Sequence, residues 1–500
     1  MSSLPELKRR LGEIDDLNRT SMLLAWDQET KMPRAGADAR AEHSATLKRL
    51  LHERLIDDEL GRLLDAAERE TAALPEDAVD AAVVRVVRHD RGKALRVPPE
   101  LRAEIARAGG RGWRAWLEAR EALDYGILLP HLRHQLELKR RLVDCFDVDG
   151  DPYDVLLDDY EQGMTTAEVE AIFDRLKEEL VPLIAAVGTT DGDVPFLKGD
   201  FPVERQRALA LGLLERLGFD GESWRFDGTV HPFAAAPSRL DIRITTNFHP
   251  DSIGGLFATI HEFGHGLYQH QIDPALDRTL VGTGASSALH ESQSRLWENL
   301  VGRSRPFWGW FYGRLQDEFP DAFGGVELDE FYRAINRVQP SLIRGDADEA
   351  TYNLHIILRF ELERELLSGT LDVRDLPEAF DARMQSYLGL TPPDVKRGVL
   401  QDVHWSDLTF GYFPTYSLGN VISVQIWERA AADLPELDEQ LECGEFAPLR
   451  EWLRENLHRH GRKLTPQETL ERAVGSAIDP EPYLRYLKRK LGDVAGVTVT

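Results

Sequence analysis

The sequence predicts a mainly α-helical chain with one small β-element. Apolar residues recur at spacings of three and four through most of the 500 residues, and a single segment alternates apolar and polar residues at a period of two. No loop-forming run is long enough to act as a free linker between domains. One fold over residues 1–500 is therefore expected, with a helical amino-terminal half of about 1–230 and a second half, about 231–500, that holds the distinctive motifs.

In chain order, apolar stripes with charges between them run from Leu4 to Trp26, Ala37 to Leu51, Ala82 to Leu95 and Pro99 to Ala106. Pro98 and Pro99 open the last of these, because proline suits a first helical turn, where an amide donor has no partner. Pro130 to Leu142, Thr166 to Leu180, Arg205 to Leu217 and Tyr352 to Leu367 follow. Thr165 and Thr166 stand before Val169 as caps, and Thr465 with Glu468 three residues on has the form of a capping box. Breaks are expected at Asp147 to Tyr153, Val187 to Pro202, Phe233 to Ser238 and Asp273 to Ser287, which are rich in Gly, Pro, Asp or small residues. No repeat period is present, which argues against a solenoid.

The period-two segment is Leu240 to Phe248. Alternation places Leu240, Ile242 and Ile244 on one face and Asp241, Arg243 and Thr245 on the other, as in a half-buried strand paired within a hairpin or short sheet. Two roles fit it: a structural prop, or a groove wall whose unpaired backbone groups receive an extended peptide by strand addition.

Composition limits the function. With 86 acidic against 60 basic residues the formal net charge is −26, and no basic cluster offsets it, so neither nucleic acid nor an anionic membrane is an expected partner. The 42% hydrophobic content and 10 Trp supply packed cores, so the charge belongs to a solvated surface and not to a disordered chain. Met1 to Asp16 is polar and charged, with no apolar leader core, and no run approaches the roughly 18 apolar residues of a membrane span. A cytoplasmic location is the expectation. Cys145 and Cys443 lie far apart in no ligand-like spacing, which excludes a disulfide framework.

The chemistry concentrates after the strand. Asp251 or Ser252 can cap a helix whose apolar stripe runs from Ile253 through Leu256, Phe257, Ile260 and Phe263 to Leu267. On it lies His261-Glu262-Phe263-Gly264-His265. Imidazoles four residues apart sit one turn above each other and can share a metal ion, while Glu262 is placed to take a proton from the attacking water. A catalytic zinc usually has three protein ligands, so one more is required. The segment Ala288 to Asn299 is the best source, and Glu291, within the polar cluster of His290, Ser292, Gln293 and Arg295, is the expected third ligand.

These and further motifs make the chain resemble the thermostable carboxypeptidase 1 family of metallocarboxypeptidases. In order they are His231-Pro232-Phe233, Asp241-x-Arg243-x-Thr245, His261-Glu262-x-x-His265, His290-Glu291-Ser292-x-Ser294, Ile343-Arg344-x-x-Ala347-Asp348 and Gly398-x-x-Gln401-Asp402-x-His404-Trp405. Trp26-Asp27 and the stretch Tyr153 to Glu161 are similar to the family's amino-terminal half. The resemblance implies a single helical fold with a deep central groove, a homodimer, one Zn2+ per chain with Co2+ as an active substitute, and release of single amino acids from the free carboxyl end of peptides.

On that footing Glu262 is the general base, and His404, Tyr412 and Tyr416 are the candidate donors to the developing oxyanion, with the choice between the two tyrosines open. Arg344 is the natural anchor for a terminal carboxylate, because a guanidinium pairs with it through two parallel hydrogen bonds; a structural ion pair with Asp346 or Asp348 is the competing explanation. Asp241 and Arg243 either pair with each other or position the substrate backbone. His231 and His290 are expected to support the site without ligating. The acidic excess is expected on the outer surface, with Arg243, Arg344 and the metal making the substrate site locally positive. Two alternatives stay open: an oligopeptidase that cleaves internally or releases dipeptides, and a non-catalytic helical scaffold that binds metal.

Overall fold

A computed structural model describes residues 2–187 and 194–497. Each helical segment expected from periodicity forms a helix, and most extend beyond the expected ends. The helix opened by Pro99 shows why: it runs Pro99–Ala122, through a Gly-rich stretch that weak helix propensity marks as a stop. Gly112 is needed there, since a Cβ on it would lie 2.3 Å from the Ser406 carbonyl oxygen. Likewise Asp124 caps Tyr125–Val143 by accepting from Gly126 N at 2.8 Å, so Pro130 falls inside that helix and not at its start. Thr465 and Glu468 form the expected capping box. Part of the expected break from Val187 to Pro202, residues 188–193, lies outside the described residues; within the remainder Pro195–Leu197 makes a short 3-10 turn.

The chain divides into two compact units, each built from separated segments. The first comprises Met1–Leu95, Asp193–Ala334 and Ile422–Ile478, and the second Arg96–Gly192, Ile335–Val421 and Asp479–Thr500.

The first unit contains a three-stranded sheet of β1 (Trp224–Gly228), β2 (Ala234–Ser238) and β3 (Asp241–Thr246), in the order β1-β3-β2. β1 runs parallel to β3, with Trp224 opposite Ile242, and β2 runs antiparallel to it. Three expectations are corrected here. Phe233 to Ser238 was expected as a break, yet 234–238 forms a strand; Pro237 is tolerated because β2 is an edge. Leu240 lies in the turn before β3 and is 54% exposed, whereas Ile242 and Ile244 are fully buried. β3 is paired on both sides, so its backbone is not free to receive a peptide.

The helix Gly254–His270 packs on this sheet, and its apolar stripe is buried from Ile253 to Tyr268. Neither of the two expected caps holds the cap position, which is Ile253; Ser252 Oγ accepts from Gly254 N at 3.1 Å just before it. Two glycines let the helix be approached closely. A Cβ on Gly266 would lie 2.5 Å from the Trp224 ring and 2.8 Å from Ile242 of the sheet, and one on Gly264 would lie 2.5 Å from the Gln293 carbonyl oxygen. Gln293 belongs to the helix Ser287–Arg295, which is capped by Ser286 and continues as a π-helical turn, Leu296–Val301.

In the second unit the helix Thr351–Ser368 is buried on nearly all faces and carries Arg359 and Glu363 at 1% and 0% exposure. A segment with little regular structure crosses beside it: a 3-10 turn His404–Asp407, then Leu408 and Gly411 with φ of 66° and 92°, then the start of the helix Pro414–Asp433. Cys145 and Cys443 are unbridged. Among the described residues no helix is long and apolar enough to cross a membrane.

Candidate active site

His261 and His265 stand one turn apart on Gly254–His270, and Glu291 faces them from Ser287–Arg295 across the contact at Gly264. One ligand atom from each lies within 4.8 Å of the others. Glu291 Oε2 is 3.3 Å from His265 Nε2 and 3.7 Å from His261 Nε2.

The surroundings orient these donors. His261 Nδ1 lies 2.9 Å from Glu298 Oε2, and an Nδ1–H donated there leaves the lone pair on Nε2, toward Glu291. His265 Nδ1 lies 2.7 Å from His290 Nδ1. Burial, with the neighbouring His265, pushes His290 down to about 3, so it is neutral at pH 7; assigned as the acceptor from His265 Nδ1–H, it leaves His265 Nε2 free to ligate. Arg295 Nε donates to Glu291 Oε1 at 2.7 Å, and Ser294 Oγ donates to Oε2 at 3.1 Å. Burial alone would raise the Glu291 carboxyl, but Arg295 and the two imidazoles outweigh it and hold the group well below its ordinary range.

These residues fit a divalent cation. Two imidazoles and one carboxylate are a common catalytic zinc set. Three carboxyl groups gather at the imidazoles: Glu262 beside His261 and His265, Glu291 paired with Arg295, and Glu298 paired with Arg295 and Arg303. Glu262 is 5% exposed, and its Oε2 has no hydrogen-bond partner among the described residues. Burial pushes its carboxyl up, with His261 and His265 opposing. A buried carboxylate oxygen left open beside three converging ligands is a suitable proton acceptor for a water attacking there.

The other motifs of this unit are structural neighbours of the site. Thr245 Oγ1 joins Phe233 at both its N and O, 2.8 Å each, so the His231-Pro232-Phe233 motif docks on the β3 motif. Asp241 and Arg243 pair with each other at 2.8 and 3.0 Å, and the guanidinium lies 4.2 Å over the Trp26 ring. The expected mutual pairing is present, and through it Asp241 neutralises the positive charge that Arg243 was expected to add. His231 is exposed.

The second unit gathers the remaining residues. Arg344 donates Nε and Nη2 to Asp402 Oδ1, at 3.0 and 2.8 Å, and Nη1 to the Tyr352 hydroxyl at 2.8 Å. Arg359 Nε donates to Asp402 Oδ2 at 2.7 Å. Arg344 therefore does have a structural ion pair, but with Asp402 and not with Asp346 or Asp348; Asp348 instead accepts from Ala350 N and Thr351 N at the start of a helix. Two guanidinium groups sharing one carboxylate leave a net positive charge, which suits an anionic ligand. His404 is pushed down to about 4 by burial, with Arg344 and Arg359 adding to the effect, and is neutral at pH 7. Its Nε2 lies 3.3 Å from the Tyr416 hydroxyl, its ring stacks 5.9 Å from that of Tyr412, and Arg344 Cζ lies 4.9 Å over the Tyr416 ring. His404, Tyr412, Tyr416 and Arg344 thus form one cluster.

Sequence reasoning missed Glu298, Arg359 and the tie of Arg344 to Asp402. For Glu298 a signal existed: Glu291, Arg295 and Glu298 follow at four and seven residues, the spacing of one helical face. For the others none did, because Arg344, Arg359 and Asp402 meet only through tertiary contacts.

Comparison with known proteins bears on this arrangement. The family model described as carboxypeptidase Taq (M32) metallopeptidase matches residues 6–491. Thermostable carboxypeptidase 1 of Thermus thermophilus is 41% identical over 488 residues, 95% of each chain, and carboxypeptidase 1 of Bacillus subtilis is 37% identical over 97% of each. Among solved structures, the M32 carboxypeptidase of Deinococcus radiodurans superposes with a TM-score of 0.95 at 42% identity, covering 99% of this chain and all of that one. A matched model over nearly the whole chain, near full-length relatives and a shared, mainly helical fold lead to one conclusion: the chain belongs to the carboxypeptidase Taq (M32) metallopeptidase family and is a metallocarboxypeptidase.

Proposed function

We propose that the enzyme uses Zn2+ held by His261, His265 and Glu291 to remove single amino acids from the free carboxyl end of peptides, with Glu262 as general base. The observation that carries this reading is the open, buried Oε2 of Glu262 beside the converging Nε2 atoms of His261 and His265 and the Oε2 of Glu291. When bound, zinc polarises the scissile carbonyl and makes water at the site more acidic. Glu262 accepts the proton of the attacking water at Oε2 and delivers it to the leaving amine. His261 and His265 are kept in the ligating tautomer by Glu298 and His290.

Arg344 is assigned to the terminal carboxylate of the peptide. The net positive charge of the Arg344, Arg359 and Asp402 group supports this role, as does the fixing of the guanidinium by Asp402 and Tyr352. Neutral His404 and the hydroxyls of Tyr412 and Tyr416 are assigned as donors to the oxyanion. A cytoplasmic homodimer that also accepts Co2+ completes the proposal, on the strength of the family resemblance.

A peptide and its carboxyl-amidated twin test the reading. Stepwise loss of single residues from the free peptide, with the amide resistant, is the expected result; equal cleavage of both overturns the terminal-carboxylate requirement. Metal analysis of the purified enzyme, with zinc and cobalt each restoring activity after chelation, checks the cofactor.

A further inference from the structure

The segment that carries His404, Tyr412 and Tyr416 has little regular structure of its own, so something outside it must fix these side chains. We propose that Glu363, which lies in none of the six family motifs, is the positioning residue for this segment. The inference rests on the catalytic reading of His404, Tyr412 and Tyr416 given above.

Glu363 is fully buried on the helix Thr351–Ser368 and makes three hydrogen bonds. Its Oε1 accepts from Trp405 Nε1 at 2.8 Å, and its Oε2 accepts from Gly411 N at 3.0 Å and from the Tyr153 hydroxyl at 2.6 Å. The first two bonds hold the two ends of one turn of chain. Trp405 directly follows His404, and Gly411 directly precedes Tyr412, so a single carboxylate grips the residues adjoining both candidate side chains.

The third bond ties this grip to a backing element. Tyr153 starts the short helix Tyr153–Leu157, and a Cβ on Gly411 would lie 2.7 Å from the Leu156 carbonyl oxygen of the same helix. Gly411, at φ 92°, is thus pressed between that helix and Glu363. From the segment so held, the Phe413 ring lies 4.5 Å from that of His404, and Tyr416 reaches His404 Nε2.

The chemistry of the three partners selects a carboxylate. Trp405 Nε1–H and Gly411 N–H can only donate, so the two oxygens that meet them must both be acceptors. A glutamine amide would turn its NH2 toward one donor or the other, whichever way it is placed. The carboxylate is retained at a cost, since burial pushes Glu363 up to about 7 despite the three donors and the charge of Lys139. A residue needed for packing alone would not require an acidic group at this position.

The test combines steady-state kinetics with a double-mutant cycle. Glu363→Gln is expected to lower kcat by about 10-fold or more, with KM within about 2-fold and metal content unchanged, because the ligands are untouched. In a background that already carries His404→Ala, Tyr412→Phe and Tyr416→Phe the same substitution is expected to cost less than about 2-fold, since the groups it positions are gone. A wild-type kcat in Glu363→Gln, or an equal loss in both backgrounds, overturns the positioning role. If Glu363→Gln does not fold, Trp405→Phe removes one of the three donors, and a loss in kcat of about 3-fold or more at unchanged metal content is expected; full activity there overturns the proposal. Full kcat in the triple variant overturns the catalytic reading and this role with it, whereas a deficient triple variant beside a fully active Glu363→Gln overturns this role alone.

Discussion

Glu298 Oε2 lies 2.9 Å from Nδ1 of His261; Arg295 Nη1 donates to the same oxygen at 3.2 Å, and Arg303 Nη2 donates to Oε1 at 3.3 Å. The contact sets which nitrogen of His261 carries the proton and so leaves Nε2 as the one that would face a metal at the proposed site. Glu298→Gln should leave the fold intact and weaken zinc binding by about 10- to 100-fold. Competition with a chelating dye measures this, and an unchanged metal Kd would show that the contact does not control ligation.

Glu262 is a buried carboxyl that lies between His261 and His265 in the chain and is not counted among the proposed ligands. Glu262→Gln should retain a full complement of metal while kcat falls by about 100-fold or more. Metal content and turnover on one peptide decide it: loss of the metal itself would place Glu262 among the ligands and refute its role as base.

Gly264 allows the ligand helices to meet. Alanine in an open helix position normally stabilises by about 1 kcal/mol over glycine. At Gly264 the sign should reverse, because the new Cβ meets the Gln293 carbonyl oxygen and the Ser294 Cα, backbone atoms that no side-chain rotation can move. Gly264→Ala is expected to destabilise by about 1–3 kcal/mol and to weaken metal binding as Glu291 is pushed away from His261 and His265. Gly313→Ala, at an exposed helical site with nothing within 4 Å of its Cβ, serves as the control that should gain stability.

Asp402 is the shared counter-ion of Arg344 and Arg359. Burial opposes its ionisation, yet the two guanidinium groups prevail and hold its carboxyl far below the ordinary range. Asp402→Asn would leave two cations facing each other, one of them 1% exposed, at a cost of about 3–5 kcal/mol by denaturant titration. A depressed carboxyl stabilises above its unfolded pKa, so this contribution should persist at pH 5 to 8 and fail only under acid, below the usual aspartate range.

Glu363 has the opposite linkage. With its pKa at about 7 in the folded chain against 4.5 for an ordinary glutamate, the native state keeps a proton that the unfolded state has lost between those values. Its contribution is therefore fully present below pH 4.5 and lost as pH rises through 7, by roughly 3 kcal/mol for a shift of this size. A series of unfolding curves from pH 4.5 to 8 should show wild-type stability declining relative to Glu363→Gln across this window; a constant difference would show that the two states bind protons equally at this site.

How far the sequence could be read depended on how local each feature was. The apolar periodicity, the Thr465 and Glu468 cap and the His261-Glu262-x-x-His265 pair depend on residues three or four apart, and helix geometry alone puts such residues on one face. The convergence of Glu291 on the two imidazoles was legible because a metal site lacking a ligand demands one and a polar cluster followed at a suitable distance. Leu240 was misplaced because alternation cannot tell a strand's first residue from the turn before it, and the β2 edge strand was missed because Ala and Pro carry little strand signal.

By itself the sequence determined the mainly helical class and, through ordered motifs, the family, and it singled out His261, His265 and Glu291 as candidate ligands with Glu262 as the proposed base. Only tertiary structure decided that Arg344 is fixed by Asp402, that Asp241 neutralises Arg243, that β3 is a central strand and that Glu363 grips both sides of the His404 to Tyr412 turn. The physical reason is range. Residues within a helical turn have their relative positions set by backbone geometry, whereas Arg344 with Asp402, and Glu363 with Trp405 and Gly411, are separated by long stretches of chain and meet only after the elements between them have packed.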